Sequence, residues 1–435
     1  MNFKMRWQYG NNKLLLGCIA DDFTGAGDIA SFLTRGGLRT ILISGIPADG
    51  DIPKDADAVV ISLKSRTAPV REAVRDTLES IRSLETSGCE RFYIKYCSTF
   101  DSTPHGNIGP VLDTVLEYLN ETCTVLCPSL PVNGRTVKDG ILYVDKIPLS
   151  KSSMKDHPLT PMWDSRIAVL MSGQSRYPCL ELGRKYYSRT SEEAYDYIKS
   201  AAKGHSHYYI IPDYENEEDA AHIIRLFSDM RVMSGGSGLA AVLAGGLCAQ
   251  RKDVHVRQMD IRAEGASLIV AGSISKATTG QIHFYKEQGL PYYKISPEQL
   301  WKRTETASSI WNEIKHRLTG ENDSVLVYCS DSREDVKKGQ ELGGQKFAGL
   351  LEDTLAKLAT KAAEEGIYKI IAAGGETSGA VTKKLGYKAF YTAQSVAPGV
   401  PVLIPADSAD RRLILKSGNF GQEDFFIRAL EVTRA

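Results

Sequence analysis

Short apolar runs and longer amphipathic stretches alternate along the whole chain. Leu14–Ala20, Thr40–Ser44, Ala58–Leu63, Arg91–Tyr96 and Thr124–Cys127 predict strands in the first half. Ser267–Ala271, Tyr292–Ile295, Ser324–Tyr328 and Ile367–Ala372 do so in the second. Apolar residues at helical spacing mark Pro69–Leu84, Pro110–Leu119, Ser191–Lys203 and Gly349–Glu365 as helices. Such alternation predicts βαβ units, and so an α/β fold of mainly parallel sheets flanked by helices. Ligands of such sheets gather at the carboxyl ends of the strands.

The 435 residues exceed what one hydrophobic core usually organises, which predicts two domains. The polar stretch Ala249 to Gly265 follows the small-residue segment Ser234–Gly246 and precedes the strand Ser267–Ala271. The expected division is a domain over 1–248, a linker over 249–266 and a second domain over 267–435. The first dozen residues are polar and irregular and read as an extension.

Composition narrows the function classes. Lysine plus arginine equals aspartate plus glutamate at 53 each, so no net charge draws the chain to nucleic acid or to an anionic membrane. No stretch reaches the ~18 to 20 apolar residues of a membrane span. Leu14–Ala20, after Lys4, Arg6 and Lys13, is too short for a signal peptide and runs into two acids. The expectation is a cytoplasmic protein, with homo-oligomerisation left open. The eight cysteines show no framework spacing, and Cys123 and Cys127 have no second pair to complete a zinc site. They read as reduced thiols in apolar surroundings.

Three predicted strand ends in the first half carry polar residues that are costly to bury without a task. The first strand ends in Asp21 and Asp22, followed by the turn Thr24-Gly25-Ala26-Gly27 and a helix start. That order brings two carboxylates and free backbone N–H groups to one sheet edge. An aspartate cap on a glycine turn would explain the pattern without chemistry. "SLKSRTAP" (Ser62–Pro69) adds Lys64, Ser65, Arg66 and Thr67, and "YIKYCSTFDST" (Tyr93–Thr103) adds Lys95, Ser98, Thr99 and Asp101. A cation with hydroxyls at a strand end suits a small polyhydroxy anion. Three such ends on one sheet outweigh the alternative of solvated loops.

The second half has glycine, serine and threonine turns instead: Ala271–Ile282, Ala372–Val381, Ala397–Ile404 and Leu415–Gly421. Turns of this kind approach phosphates closely and offer N–H and hydroxyl donors. Neither G-x-G-x-x-G nor a Walker A sequence occurs, which disfavours a dinucleotide-dependent dehydrogenase. A sugar-acid binding protein that merely closes on its ligand would have no use for phosphate-type turns.

"IADDFTGAGDIASFL", "SLKSR", "KYCSTFDST…GNIGP", "CPSLPVNGRTV", "HPLTPM", "GGSGLA", "AGGETSGAV", "APGVP" and "LKSGNFG" together resemble the four-carbon acid sugar kinases, in family order from about Leu14 to Phe425. The resemblance implies an acid-sugar domain followed by an ATP domain, with the active site in the cleft between them. It implies transfer of the γ-phosphoryl of ATP to the C4 hydroxyl of a four-carbon acid, foremost a 3-oxo-tetronate. Relatives acting on threonate, erythronate or 3-oxo-isoapionate share most of these motifs. Carried over by motif, ATP contacts fall on Ser273 rather than Ser275, on Gly375, Glu376, Thr377 and Ser378, and on Gly418. Mg²⁺ follows from ATP chemistry, not from any ligand signature. Arg66 and Lys95 are expected to hold the acid sugar with Ser98, Thr99 and Asp101. Asp22 is expected as general base ahead of Asp21, because it lies nearer the turn, with Asp28 third.

Overall fold

The computed structural model describes residues 14–48, 50–156, 160–249, 259–320 and 323–435. The expected N-terminal extension, His157 to Leu159 of the HPLTPM motif, and 250–258 of the expected linker lie outside these. The chain divides into two compact units, Met1–Val256 and Arg257–Ala435.

The first unit holds β1 (Leu16–Ala20), β2 (Thr40–Ser44), β3 (Ala58–Ser62), β4 (Phe92–Lys95), β5 (Cys123–Cys127), β6 (Arg135–Lys138), β7 (Ile141–Val144), β8 (Ile147–Pro148), β9 (Cys179–Leu182), β10 (Tyr208–Pro212) and β11 (Val232–Gly235). Its main sheet runs β2-β3-β1-β4-β11-β5-β10-β9, and every pair in it is parallel. The sequence LGCIA of β1 and AVVIS of β3 are buried at every position, the pattern of a parallel sheet covered on both faces. The chain leaves β1 toward β2 but leaves β4 toward β5, on the other side. The topological switch point, where such sheets bind ligands, therefore lies between β1 and β4. β6, β7 and β8 form a separate antiparallel sheet that the apolar pattern does not predict.

The second unit holds β12 (Ser267–Ala271), β13 (Tyr292–Lys294), β14 (Ser324–Tyr328), β15 (Lys369–Ala373), β16 (Ala389–Ala397), β17 (Val400–Pro405) and β18 (Arg412–Lys416). They run in the order β13-β14-β12-β15-β18-β17-β16. The pairs from β13 to β18 are parallel, while β17 pairs antiparallel with both β18 and β16. Side chains alternate between two cores. Leu268, Val270, Val325 and Val327 pack with Leu355 and Ala359 on one face. Ile269, Ala271, Leu326 and Tyr328 pack with Tyr285, Phe425 and Phe426 on the other. By the same connection argument the switch point of this unit lies between β12 and β15. Part of the expected linker is held by this unit: Arg412 donates to the carbonyls of Asp260 and Arg262. Among the described residues no helix is long and apolar enough to cross a membrane.

Close helix packing sets the edge of the first unit. Helix Phe23–Arg35 ends at Gly36, where an added Cβ would lie 2.5 Å from both the Ala241 carbonyl oxygen and the Ala244 Cβ. A backbone carbonyl cannot retreat as a flexible side chain can. Gly36→Val is therefore expected to force helices Phe23–Arg35 and Ala240–Ala249 apart and to destabilise the protein by about 1–3 kcal/mol. Urea unfolding checks this, and an unchanged midpoint would contradict the close approach.

Candidate functional site

The first unit builds its site at the predicted edge. The Asp21 N–H donates to the Lys95 carbonyl at 3.1 Å, and the Ser65 and Arg66 N–H groups donate to the Asp21 carbonyl at 3.0 and 3.2 Å. These bonds carry the sheet register past the strand ends and bring Asp21, Arg66 and Lys95 together. Arg66 then grips Asp21 with two bonds, Nε to Oδ2 at 2.8 Å and Nη2 to Oδ1 at 2.9 Å. Its Nη1 lies 2.7 Å from Asp22 Oδ2. Two of the five guanidinium N–H groups are thus hydrogen-bonded, both to Asp21, and the contact with Asp22 is an ion pair. Asp22 caps helix Phe23–Arg35, its Oδ1 accepting from the Gly25 N–H at 2.6 Å. A Cβ on Gly25 would sit 2.6 Å from Asp22 Oδ1, 3.1 Å from Lys95 Nζ and 3.7 Å from Arg66 Nη2. The glycine is the open floor of the charged cluster.

The two neighbouring acids differ. The Asp21 side chain is 14% exposed and both its oxygens are held by Arg66. The Asp22 side chain is 31% exposed. Burial pushes the Asp22 carboxyl above its ordinary value, against the pull of the Arg66 charge. Asp28, one turn into the helix, is buried, and burial raises its carboxyl despite the nearby Lys95 charge and a hydrogen bond from Ser237. Its Oδ1 has no hydrogen-bond partner among the described residues.

Thr99 and Asp101 are turned toward each other, Thr99 Oγ1 donating to Asp101 Oδ1 at 2.6 Å. Between them Phe100 has φ 51°, a left-handed conformation disfavoured for a large side chain. Both residues thus shape the turn after β4. Ser98 is half-buried in the same turn, its Cβ 3.4 Å from where a Cβ on Gly236 would lie.

The second unit uses backbone and hydroxyls. The Gly374 N–H donates to the Lys416 carbonyl at 2.9 Å, joining the ends of β15 and β18. Gly375 and Glu376 are exposed in the first turn of helix Gly375–Leu385, whereas Thr377 and Ser378 are buried. The Thr377 hydroxyl lies where a Cβ on Gly272 would be 2.3 Å away, and Ser378 Oγ donates to the Ala372 and Lys416 carbonyls. Their hydroxyls hold the turn from beneath, while Gly375 faces outward. Ser273 Oγ accepts from the Ser275 N–H at 3.2 Å, and a Cβ on Gly418 would lie 2.3 Å from that oxygen. Ser275 caps helix Lys276–Glu287 and donates to the Gly418 carbonyl at 2.6 Å. Ser273, Ser275 and Gly418 thus meet at one point.

From that point opens a cleft of about 1010 Å³ within the second unit, lined by Ile274, Lys276, His283, Asp331, Asn419 and Glu423 among others. Ile274 is 58% exposed, an apolar surface for a ring to rest on. Asp331 forms one wall, bonded at 2.9 Å by each of Lys286, Lys294 and the Tyr328 hydroxyl. Burial opposes its charge, but the bonds from Lys294 and Lys286 hold the carboxyl below its ordinary value. The stretch Ala397–Ile404, expected as a phosphate turn, is instead the tight connection of β16 to β17 and the start of β17. Pro398 and Gly399, the latter at φ 77°, close the antiparallel pair as a hairpin.

Among the described residues no group of three or more histidine, cysteine, aspartate or glutamate side chains could hold a metal. Asp21 and Asp22 are bonded to Arg66, so this donor set does not form a cation cage. Sequence reading missed Ser237, Thr278, Lys416 and the Asp331 cluster. The first three lie in the quoted stretches GGSGLA, Ala271–Ile282 and LKSGNFG without being singled out there, and Lys416 also closes the apolar run RLILK.

Comparison with known proteins assigns the family. A sugar-binding N-terminal domain family matches residues 16–243, and a nucleotide-binding C-terminal domain family matches 268–426. The chain is 40% identical to a 3-oxo-tetronate kinase of Brucella melitensis, with 97% of each chain covered. It is 39% identical to a 3-oxo-tetronate kinase of Haemophilus influenzae, over 95% of this chain and 98% of that one. A crystal structure of a Haemophilus influenzae protein superposes with a TM-score of 0.82 at 38% identity, over 95% of this chain and 99% of that one. The chain belongs to the four-carbon acid sugar kinase family, that of the 3-oxo-tetronate kinases.

Two outcomes follow from the geometry. Ser237→Ala leaves buried Asp28 without its hydroxyl donor and is expected to cost about 1–3 kcal/mol in denaturant unfolding. An unchanged midpoint would remove Ser237 from the site. Asp331→Asn is expected to lower the melting temperature at neutral pH. The folded-state value of Asp331 is depressed, so its contribution is present above the usual carboxylate range and is lost as pH falls. The gap between variant and parent should narrow from about pH 5 downward. A gap independent of pH would show that the ion pairs do not carry the effect.

Proposed function

We propose that this chain is an ATP-dependent 3-oxo-tetronate kinase. It transfers the γ-phosphoryl group of ATP to the C4 hydroxyl of a 3-oxo-tetronate, releasing ADP and the 4-phosphate. The reading is carried by the full-length likeness to 3-oxo-tetronate kinases. It is supported by a charged cluster at one switch point and a glycine-serine turn beside a large cleft at the other. The first unit binds the acid: the N–H groups of Arg66 not bonded to Asp21 and the ammonium of Lys95 meet its carboxylate and oxo oxygens. The second binds ATP, with phosphates against Gly375, Ser273 and Gly418 and the nucleoside in the cleft beside Ile274. Mg²⁺ arrives with ATP, since Mg²⁺ is commonly held by substrate phosphates and waters. Dependence on ATP argues for the cytoplasm as the working compartment.

Chemistry of this kind rests on alignment and charge neutralisation more than on covalent intermediates. The C4 oxygen forms a bond to the γ-phosphorus as the bond from phosphorus to the β–γ bridging oxygen breaks. The proton leaves C4–OH late, and Asp22 is the better acceptor. Asp21 has both oxygens tied to Arg66, and Asp28 is deeply buried. Asp22 is the more exposed of the two adjacent acids, and its carboxyl stands above its ordinary value, which favours proton acceptance.

An ADP-release screen over 3-oxo-tetronates, threonate, erythronate and 3-oxo-isoapionate tests the reading. Turnover is expected to be fastest with a 3-oxo-tetronate, and a faster reaction with another acid would reassign the substrate. Asp22→Asn keeps the cap acceptor Oδ1 and loses basicity. Its kcat should fall by about two to four orders of magnitude, with both substrates still bound. If kcat stays near normal while Asp21→Asn or Asp28→Asn loses it, the base is that residue.

A further inference from the structure

Lys416 ends β18 with no exposed surface at all. Its Nζ donates to Thr278 Oγ1 at 2.9 Å and to the Gly418 carbonyl at 3.0 Å, and it lies 5.7 Å from the centre of the Phe425 ring. These partners are a hydroxyl, a carbonyl and an aromatic face, none of which carries a full negative charge. An ammonium among neutral partners in an interior is costly, and burial alone pushes this one down to about 7. The same carbonyl also accepts from Ser275 Oγ at 2.6 Å and Thr278 Oγ1 at 2.9 Å. Three donors on one oxygen fix the peptide plane of Gly418, and with it the approach of its Cα to Ser273. Helices Lys276–Glu287 and Gly375–Leu385 begin beside it and add the positive potential of their N-termini.

We propose that Lys416 is a positioning residue for the nucleotide phosphates, retained in the core at the expense of the empty protein's stability. It locks the Gly418 turn toward Ser273 and places a positive charge beneath it, which the polyphosphate of a bound nucleotide neutralises. The proposal rests on the kinase reading, through the second unit's part in binding ATP. An ordinary core residue would stabilise the protein and leave nucleotide affinity alone; Lys416 does the reverse. An apolar side chain of equal length is the better core residue at this position.

The test uses the full chain with Lys416→Met, which keeps the stem and removes charge and donors. ADP affinity is measured by calorimetry, melting without nucleotide by scanning calorimetry, and KM for each substrate by turnover. Expected are a Kd for ADP at least tenfold weaker, a melting temperature equal or higher, and KM raised for ATP but within twofold for the acid. Thr278→Val, which removes the hydroxyl between Lys416 and Gly418, should weaken ADP binding in the same direction. ADP affinity within twofold of the parent in both variants overturns the proposal. A Lys416→Met chain that melts earlier or does not fold also overturns it, because the lysine would then be a stabilising core residue. If the parent chain itself binds no ADP, the kinase reading fails first, which separates the two failures.

Discussion

The Arg66 guanidinium, hydrogen-bonded to Asp21 and ion-paired with Asp22, is the constraint on which the first unit's charged cluster depends. Two adjacent carboxylates at the end of a buried strand repel each other, and each loses solvation there. A planar cation with donors on both sides offsets both terms and fixes where each carboxylate points. Arg66 reaches them because backbone bonds extend the register of β3, β1 and β4 beyond the strand ends. The arrangement leaves Asp22 as the more exposed acid, already committed to starting a helix. On the proposed mechanism the general base and the helix cap are the same side chain.

The second unit solves a different electrostatic problem. On the proposed reading a polyphosphate brings several negative charges, and the unit offers it helix starts, glycines that leave the backbone uncovered, and a lysine beneath the turn. Glu376 is exposed in the first turn of its helix, where a negative charge is itself favoured by the helix dipole. In the first unit, Asp21 and Asp22 are held by Arg66. This division fits a kinase in which the acceptor is oriented by side-chain charge and the donor by backbone.

Much of this was legible in the chain. The strands Thr40–Ser44, Ser267–Ala271 and Ser324–Tyr328 stand where their apolar runs predict them, because a parallel strand buried on both faces leaves an unbroken apolar signature. Asp21, Arg66 and Lys95 were legible together, since each closes such a run and parallel sheets align their strand ends. The antiparallel strands β16 and β17 were not, because two prolines interrupt the buried apolar run of β17 and the Pro-Gly connection before it resembles a phosphate turn in composition. Nor were Ser237 and Thr278. The Ser237 partner, Asp28, is 209 residues away in sequence, and Thr278 meets Lys416 across 138. No local pattern encodes a contact that only the folded sheet creates.

The position of the transferred phosphoryl group is the most direct measurement of the central claim. The chain is incubated with MgATP and a 3-oxo-tetronate, and the product is read by phosphorus and proton NMR. The account predicts a phosphomonoester whose phosphorus couples to the two protons on C4, formed in step with ADP. Inorganic phosphate as the only new phosphorus signal, or a phosphomonoester on another carbon, would contradict it.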